Sequence, residues 1–297
     1  MEQKTIYALG FFDGVHLGHQ ALLKACRSMA DKTGCKAGVV TFLGHPDELV
    51  SGTPTPLINT PADRARLLRR FGMDAVVELP FDKQLMNMPY LTFFRLLLTK
   101  YGAAGLVCGH DFRFGFRGEG NAEKLSAACR EAGIPCTVVP EQKLDGVTVS
   151  STHIRSLVEM GEMEQAGAFL GHRHMLTGTV VPGRHLGRTL GIPTANLVLP
   201  RHLLIPKFGV YICRATVDGA SYPAVTNVGT RPTVGGQNVT VEPWILDFEG
   251  DLYGRELTLE FCKFLRPEIK FPTLKDLQAE IQKNAQETRQ YFLDGNE

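Results

Sequence analysis

Several things are scarce in this 297-residue chain, and each scarcity excludes a class of protein. Net charge is almost absent, with Lys+Arg 32 against Asp+Glu 31, so no chain-wide positive field points to a nucleic-acid partner. No apolar run approaches the ~20 residues that span a bilayer, and no membrane partner is expected. The opening M-E-Q-K-T has neither the basic start nor the apolar core of a secretory leader; the protein is expected in the cytoplasm. Seven cysteines, at 26, 35, 108, 129, 136, 213 and 262, form no C-x-x-C pair and no framework spacing, which reads as reduced thiols. Nothing matches the P-loop pattern G-x-x-x-x-G-K-[ST].

What is present is a hydrophobic content of 43%, enough for real cores, over a length that suits two ordinary domains. The most informative stretch is Gly10 to His19, G-F-F-D-G-V-H-L-G-H. It follows an apolar run, Thr5 to Leu9, and leads into a helical pattern over Gln20 to Ala30. In such a strand-to-helix turn the first helical amides lack intrahelical partners and favour an anion. Gly10, Gly14 and Gly18 let a bulky ligand approach the backbone. His16 and His19, three apart, share one face and can donate to phosphate oxygens as charge builds at phosphorus. On these residues alone the pair could equally cap or pack the helix. No neighbouring Cys or acidic cluster completes a zinc site.

Strand-like runs at 37–42, 74–79, 105–108 and 135–139 alternate with helical patterns at 61–71, 91–101 and 122–132. That alternation predicts a parallel sheet covered on both faces, with ligands bound beyond the strands' C-terminal ends. Three loops should therefore share a cleft: the first turn, Leu43 to Pro46, and Gly109 to Gly115 (G-H-D-F-R-F-G). Asp111 could meet a ribose hydroxyl or a metal, and Arg113 or Arg117 a phosphate; a local ion pair is the other reading. Ser150, Ser151 and Thr152, followed by Arg155, suit either helix capping or a polyphosphate tail.

From Met175 the pattern changes to short β-like runs broken by Asp218-Gly219, Gly235-Gly236 and Glu249-Gly250, which predicts an antiparallel barrel. A final helix from Thr273 to Tyr291 should cover it. The fold class expected is thus α/β, a Rossmann-like parallel-sheet domain over 1–156, a helical connector over 157–174, and a β-barrel domain over 175–297. Within the barrel half, Gly183, Gly187 and Gly191 recur every four residues of G-R-H-L-G-R-T-L-G-I-P-T-A-N. This suits a backbone nest around phosphate, though a glycine-rich hairpin would read the same. Thr194 and Asn196 offer the hard oxygens that Mg²⁺ takes.

Taken in order, F-D-G-V-H-L-G-H, D-F-R-F-G and S-S-T-H-I-R resemble the adenylyltransferase half of the bacterial bifunctional riboflavin kinase and FAD synthetase family. P-T-A-N, F-G-V-Y, N-V-G-T-R-P-T, V-E-P-W-I-L-D-F, D-L-Y-G and R-P-E-I-K-F resemble its riboflavin kinase domain. The resemblance implies ATP, riboflavin and FMN as substrates and Mg²⁺ as cofactor. In the first half it implies that Gly10, Phe12, Asp13, Gly14, His16, His19, Asp111, Ser151, Thr152 and Arg155 bind ATP, with His16 and His19 on its phosphates. In the second it implies Gly183, Gly187, Arg188, Gly191 and Thr194 at ATP, Thr194 and Asn196 on the metal, Glu242 as base and Arg266 at the flavin. Three departures stand out: Leu43-Gly44-His45-Pro46 where relatives usually read D-P-H-P, His110 where they more often carry an acidic or aromatic residue, and Trp244 where they often carry His. The rival readings are another H-x-G-H nucleotidyltransferase or class I tRNA ligase, and a flavin-binding carrier or sensor, which would need neither metal ligands nor a base.

Overall fold

The computed structural model describes residues 4–44, 52–182, 192–233 and 236–296, with the side chains of 231–233 and 236–238 left out. The expected glycine nest at Gly183, Gly187, Arg188 and Gly191, the Gly235 turn position and the His45-Pro46 pair lie outside the described residues. The chain divides into two compact units, Met1–Ser151 and Thr152–Glu297.

The first unit is built on a five-stranded parallel sheet: β1 (Thr5–Leu9), β2 (Lys36–Leu43), β3 (Ala75–Pro80), β4 (Ala103–Gly109) and β7 (Cys136–Val139). Their order is β3-β2-β1-β4-β7. β1 is buried at all five positions, as a central strand covered on both faces must be. The helices between strands are α1 (Leu17–Thr33), α2 (Pro61–Arg70), the one-turn α3 (Lys83–Met86), α4 (Tyr90–Thr99) and α5 (Ala122–Glu131). Their limits follow local chemistry. Thr60 accepts the Asp63 amide at 3.0 Å ahead of Pro61, a capped start with proline where its missing N–H costs nothing. Gly34, at φ 64°, ends α1 in the left-handed conformation. Phe93, Phe94 and Leu97 of α4 and Leu125 and Cys129 of α5 pack with Leu106 and Cys108 of β4 in one core.

Two small ribbons escaped the sequence pattern because each strand has only two residues: β5 (Arg113–Phe114) with β6 (Gly120–Asn121), and β8 (Lys143–Leu144) with β9 (Val147–Thr148). Chain growth runs β1 to β3 toward one edge and then resumes at β4 on the other side of β1. The reversal between β1 and β4 is where open α/β sheets hold ligands. The G-F-F-D-G-V-H-L-G-H turn and the G-H-D-F-R-F-G loop leave the sheet at those two strand ends.

In the second unit, α6 (Ser151–Met160), whose first residue closes the first unit, and α7 (Met163–Leu170) precede the sheet. A closed antiparallel barrel follows, in the order β10-β11-β14-β13-β12-β15, from β10 (His174–Val181), β11 (Asn196–Val198), β12 (Gly209–Val217), β13 (Ala220–Thr233), β14 (Gly236–Ile245) and β15 (Glu256–Arg266). Closure through the β10–β15 pairing removes the open edges. The last helix, α8 (Leu274–Leu293), is capped by Thr273, whose hydroxyl oxygen accepts the Asp276 amide at 3.1 Å. Its Ala285 packs with Val210, Val225 and Leu246 of the barrel.

Candidate active sites

Leaving β1, the chain must turn sharply to start α1. Phe12 takes the left-handed conformation (φ 59°, ψ 28°) and Gly14 has φ 82°; burying Phe12 completely offsets the strain at a non-glycine position. His16 is the N-cap of α1, and its Nδ1 accepts the His19 amide at 3.3 Å. The imidazoles of His16 and His19 stack, centroids 3.6 Å apart and planes 15° from parallel. Burial, then the neighbouring His16 and the Arg64 guanidinium, hold His19 well below the ordinary histidine range. At neutral pH it is therefore uncharged and keeps one N–H to donate.

Both imidazoles line a cleft of about 610 Å³ together with Gly10, Asp111, Arg113 and Ser151. Gly18 sits close under the pair, since a Cβ there would lie 3.1 Å from His16 Cε1. Asp111 folds back at the end of β4, its Oδ1 2.9 Å from where a Gly109 Cβ would stand. The Ser151 hydroxyl donates to the Asp13 carbonyl at 3.0 Å. Thr152 and Arg155 follow on α6, in the second unit, and are not among the residues lining the cleft.

Phe12, Asp13 and Gly14 shape this turn from beneath and are not among the residues lining the cleft. Asp13, 2% exposed, accepts the Ile58 amide at 2.9 Å and the Asn59 amide at 3.3 Å. It ties the segment before α2 to the turn, a contact 45 residues away that no local pattern announces.

Sequence reasoning also missed an aromatic hollow. A second cavity, about 730 Å³, is lined by Phe42, Phe81, Phe93, Phe114, Arg113 and Arg117, among others, and shares Phe42 and Arg113 with the imidazole cleft. Its wall depends on Gly115 (φ 77°), where a Cβ would fall 2.7 Å from Tyr90 Cα. The phenylalanines come from four segments, so only their count was visible beforehand.

In the barrel, Thr194, Asn227, Glu242, Trp244, Arg266 and Glu268 are among the residues lining a cavity of about 290 Å³. Glu242 and Asn227 are direct partners across the β14–β13 ladder. The Ala195 amide bonds to the Pro243 carbonyl at 2.9 Å, holding the Thr194 segment beside Glu242. Asn196 opens β11 opposite Val181. Arg266 is fixed by Glu280 at 3.2 Å and Asn284 at 3.1 Å, with its guanidinium 5.7 Å from the Phe271 ring centroid. Glu268, which sequence reasoning did not single out, accepts from Asn227 Nδ2 at 3.2 Å. Among the described residues no group of three His, Cys, Asp or Glu side chains could hold a metal. The donors that gather here, Thr194, Asn227, Glu242 and Glu268, are hard oxygens, a set that suits a hard divalent cation completed by phosphate and water; Asn196, expected beside Thr194, is not among the residues lining the cavity.

A glycine- and histidine-containing turn at a parallel-sheet switch point, joined in one chain to a barrel cavity lined by hard oxygen donors, is an arrangement suited to a transferase acting on nucleoside triphosphates. A riboflavin kinase family model matches residues 170–292 and an FAD synthetase model residues 1–153. A bifunctional riboflavin kinase/FMN adenylyltransferase of Listeria monocytogenes is 35% identical over 97% of this chain and 92% of its own, and one of Pseudomonas fluorescens is 36% identical over 93% and 89%. A Streptococcus pneumoniae crystal structure described as a macrolide-efflux protein has a TM-score of 0.87 and 30% identity, covering 97% of this chain and 95% of that one. In the present chain no helix among the described residues is long and apolar enough to cross a membrane.

The chain belongs to the bifunctional riboflavin kinase/FMN adenylyltransferase family. It phosphorylates riboflavin to FMN with ATP, then adenylates FMN to FAD with release of pyrophosphate. Enzymes of this kind use a divalent metal.

Proposed function

We propose that the two reactions are divided between the halves of the chain, FMN adenylylation in residues 1–156 and riboflavin phosphorylation in residues 175–297, with 157–174 as connector. The observation that carries this is the separation of chemistries: the stacked imidazoles lie in one compact unit and the Glu242 cavity in the other. The divalent ion is Mg²⁺, and the enzyme works in the cytoplasm.

In the first half, ATP lies in the imidazole cleft. Gly10 gives it close backbone approach, Asp111 meets the nucleoside, and His16 and His19 face the phosphates. Phe12, Asp13 and Gly14 act by holding the turn, and Ser151, Thr152 and Arg155 take the rest of the tail. The isoalloxazine of FMN occupies the aromatic hollow, whose size and flat walls suit a stacked ring system, with Arg113 and Arg117 toward its phosphate. An FMN phosphate oxygen then attacks the α-phosphorus and pyrophosphate leaves. No protein nucleophile is needed, so the residues position the reactants and stabilise charge.

In the second half, Glu242 takes the proton from the terminal ribityl hydroxyl as the hydroxyl oxygen attacks the γ-phosphorus of ATP, the bond to the β,γ-bridging oxygen breaks and ADP leaves. Thr194 and Asn196 hold Mg²⁺, which neutralises phosphate charge when bound. Gly183, Gly187, Arg188 and Gly191 cradle the triphosphate, and Arg266, held rigid by Glu280 and Asn284, contacts the flavin.

Paired variants test the division. Glu242→Gln should lose FMN formation by ~10²–10⁴-fold, the worth of a positioned base, and keep FMN-to-FAD conversion. His19→Ala should stall the sequence at FMN. Chromatography of flavins from purified variants reads both, and loss of both activities in a folded single variant would contradict separate sites.

A further inference from the structure

Arg64 is a charged residue that no local motif explains. It lies on α2, is 0% exposed, and touches two residues that line the adenylyl-transfer cleft. Its Nη2 donates to the Phe42 carbonyl at 2.7 Å. The guanidinium faces the Phe11 ring, 4.7 Å from the centroid, and Phe11, Phe42 and His19 all line the cleft. Two further donors, Nε and Nη1, are buried with no hydrogen-bond partner. A buried guanidinium with idle donors is costly, and an uncharged side chain would fill the space without that cost. Asp13 and Glu78 are the acidic groups within electrostatic reach. Asp13 is turned to the amides of Ile58 and Asn59.

The charge is nevertheless felt at the reacting face, where Arg64 contributes to holding His19 uncharged. With His19 neutral, Arg113 is the one Arg or Lys side chain lining the cleft among the described residues, against Asp111 and Glu141. Apart from Arg113 and the Arg155 assigned to the tail, a triphosphate entering there meets no permanent positive charge from the described lining residues. A cation behind an apolar wall acts through low dielectric and is poorly screened by salt.

We propose that Arg64 is a positioning residue for adenylyl transfer: a buried cation behind Phe11 and Phe42 that adds fixed positive charge to the cleft and holds the ATP phosphates against the imidazole pair. The inference rests on the reading of this cleft as the ATP site of the adenylyltransferase.

The test is steady-state FMN adenylylation by the full chain carrying Arg64→Met or Arg64→Lys, with His19→Ala measured alongside. Arg64→Met should raise KM for ATP at least tenfold in adenylylation and leave the KM for ATP in riboflavin phosphorylation unchanged. Arg64→Lys keeps the charge but loses the planar fork, and should stay within threefold of the parent. An adenylylation KM within twofold of the parent in folded Arg64→Met overturns the proposal. So does a rise beyond threefold in Arg64→Lys, and this second variant decides alone if the methionine chain does not fold. If His19→Ala makes FAD at the parental rate, the reading of the cleft has failed. If His19→Ala is inactive while both Arg64 variants behave as parent, only the role of Arg64 has.

Discussion

His174 offers a quantitative check on how the barrel is held together. It opens β10, is 0% exposed, and neither ring nitrogen has a hydrogen-bond partner. Its neighbour across the β10–β15 ladder is Phe261, ring centroids 5.8 Å apart. Burial, with a smaller contribution from His172, pushes the imidazole from 6.5 down to about 3. Above pH 6.5 both folded and unfolded chains carry the neutral ring and this residue adds no pH dependence. Below it the unfolded chain takes up a proton that the folded barrel refuses, so stability is lost as pH falls from 6.5 toward 3. The loss attributable to this one ring is about 2 kcal/mol between pH 6.5 and 5, at roughly 1.4 kcal/mol per unit. Replacing it as His174→Phe should remove that component. The assay is denaturant unfolding of the full chain at pH 7 and pH 5, followed by fluorescence of Trp244, the sole tryptophan, which packs against the barrel core. Carboxylates that titrate in the same window are common to parent and variant and cancel in the difference. Equal losses in both proteins would refute the reasoning and mean that the ring finds a partner or water in the folded state.

Two further outcomes follow from close approaches. A methyl group at Gly229 would collide with Glu268 Oε1, so Gly229→Ala should drive Glu268 off Asn227 and raise the riboflavin KM of the kinase roughly tenfold, about 1.4 kcal/mol. FMN adenylylation by the same protein should be unchanged, and an unaltered kinase KM would show that the Asn227–Glu268 contact is incidental. Asp13→Ala would strand two buried amides that now donate to a carboxylate, at a cost of about 3 kcal/mol. Calorimetry should show the transition of the first unit lowered by roughly 6–12 °C, with the transition of the barrel unit unmoved.

Most of the fold was legible because its signals are local. The apolar run at Thr5–Leu9, the Thr60-Pro61 start and the Thr273 cap act within a few residues, and each appears in the structure. The two-residue ribbons were beyond reach because alternation needs at least four residues to register. The H-x-G-H pair was visible because its spacing places it at a helix start, whereas Glu242 was singled out only by the resemblance of its motif to the riboflavin kinase domain.

What the amino-acid order determined by itself, then, was the succession of strands and helices, the two changes of periodicity, and the polar residues concentrated at strand ends. The tertiary structure alone decided which of those polar groups meet open space. Asp13, part of the most informative motif, is turned inward to the amides of Ile58 and Asn59, whereas Arg64, part of none, lies against the cleft wall. Phenylalanines from four segments close a hollow that no window of sequence contains. The physical reason is one of range: hydrogen-bond caps and hydrophobic periods act over a turn or a strand, but burial of a charge or closure of a cavity depends on which strands lie side by side.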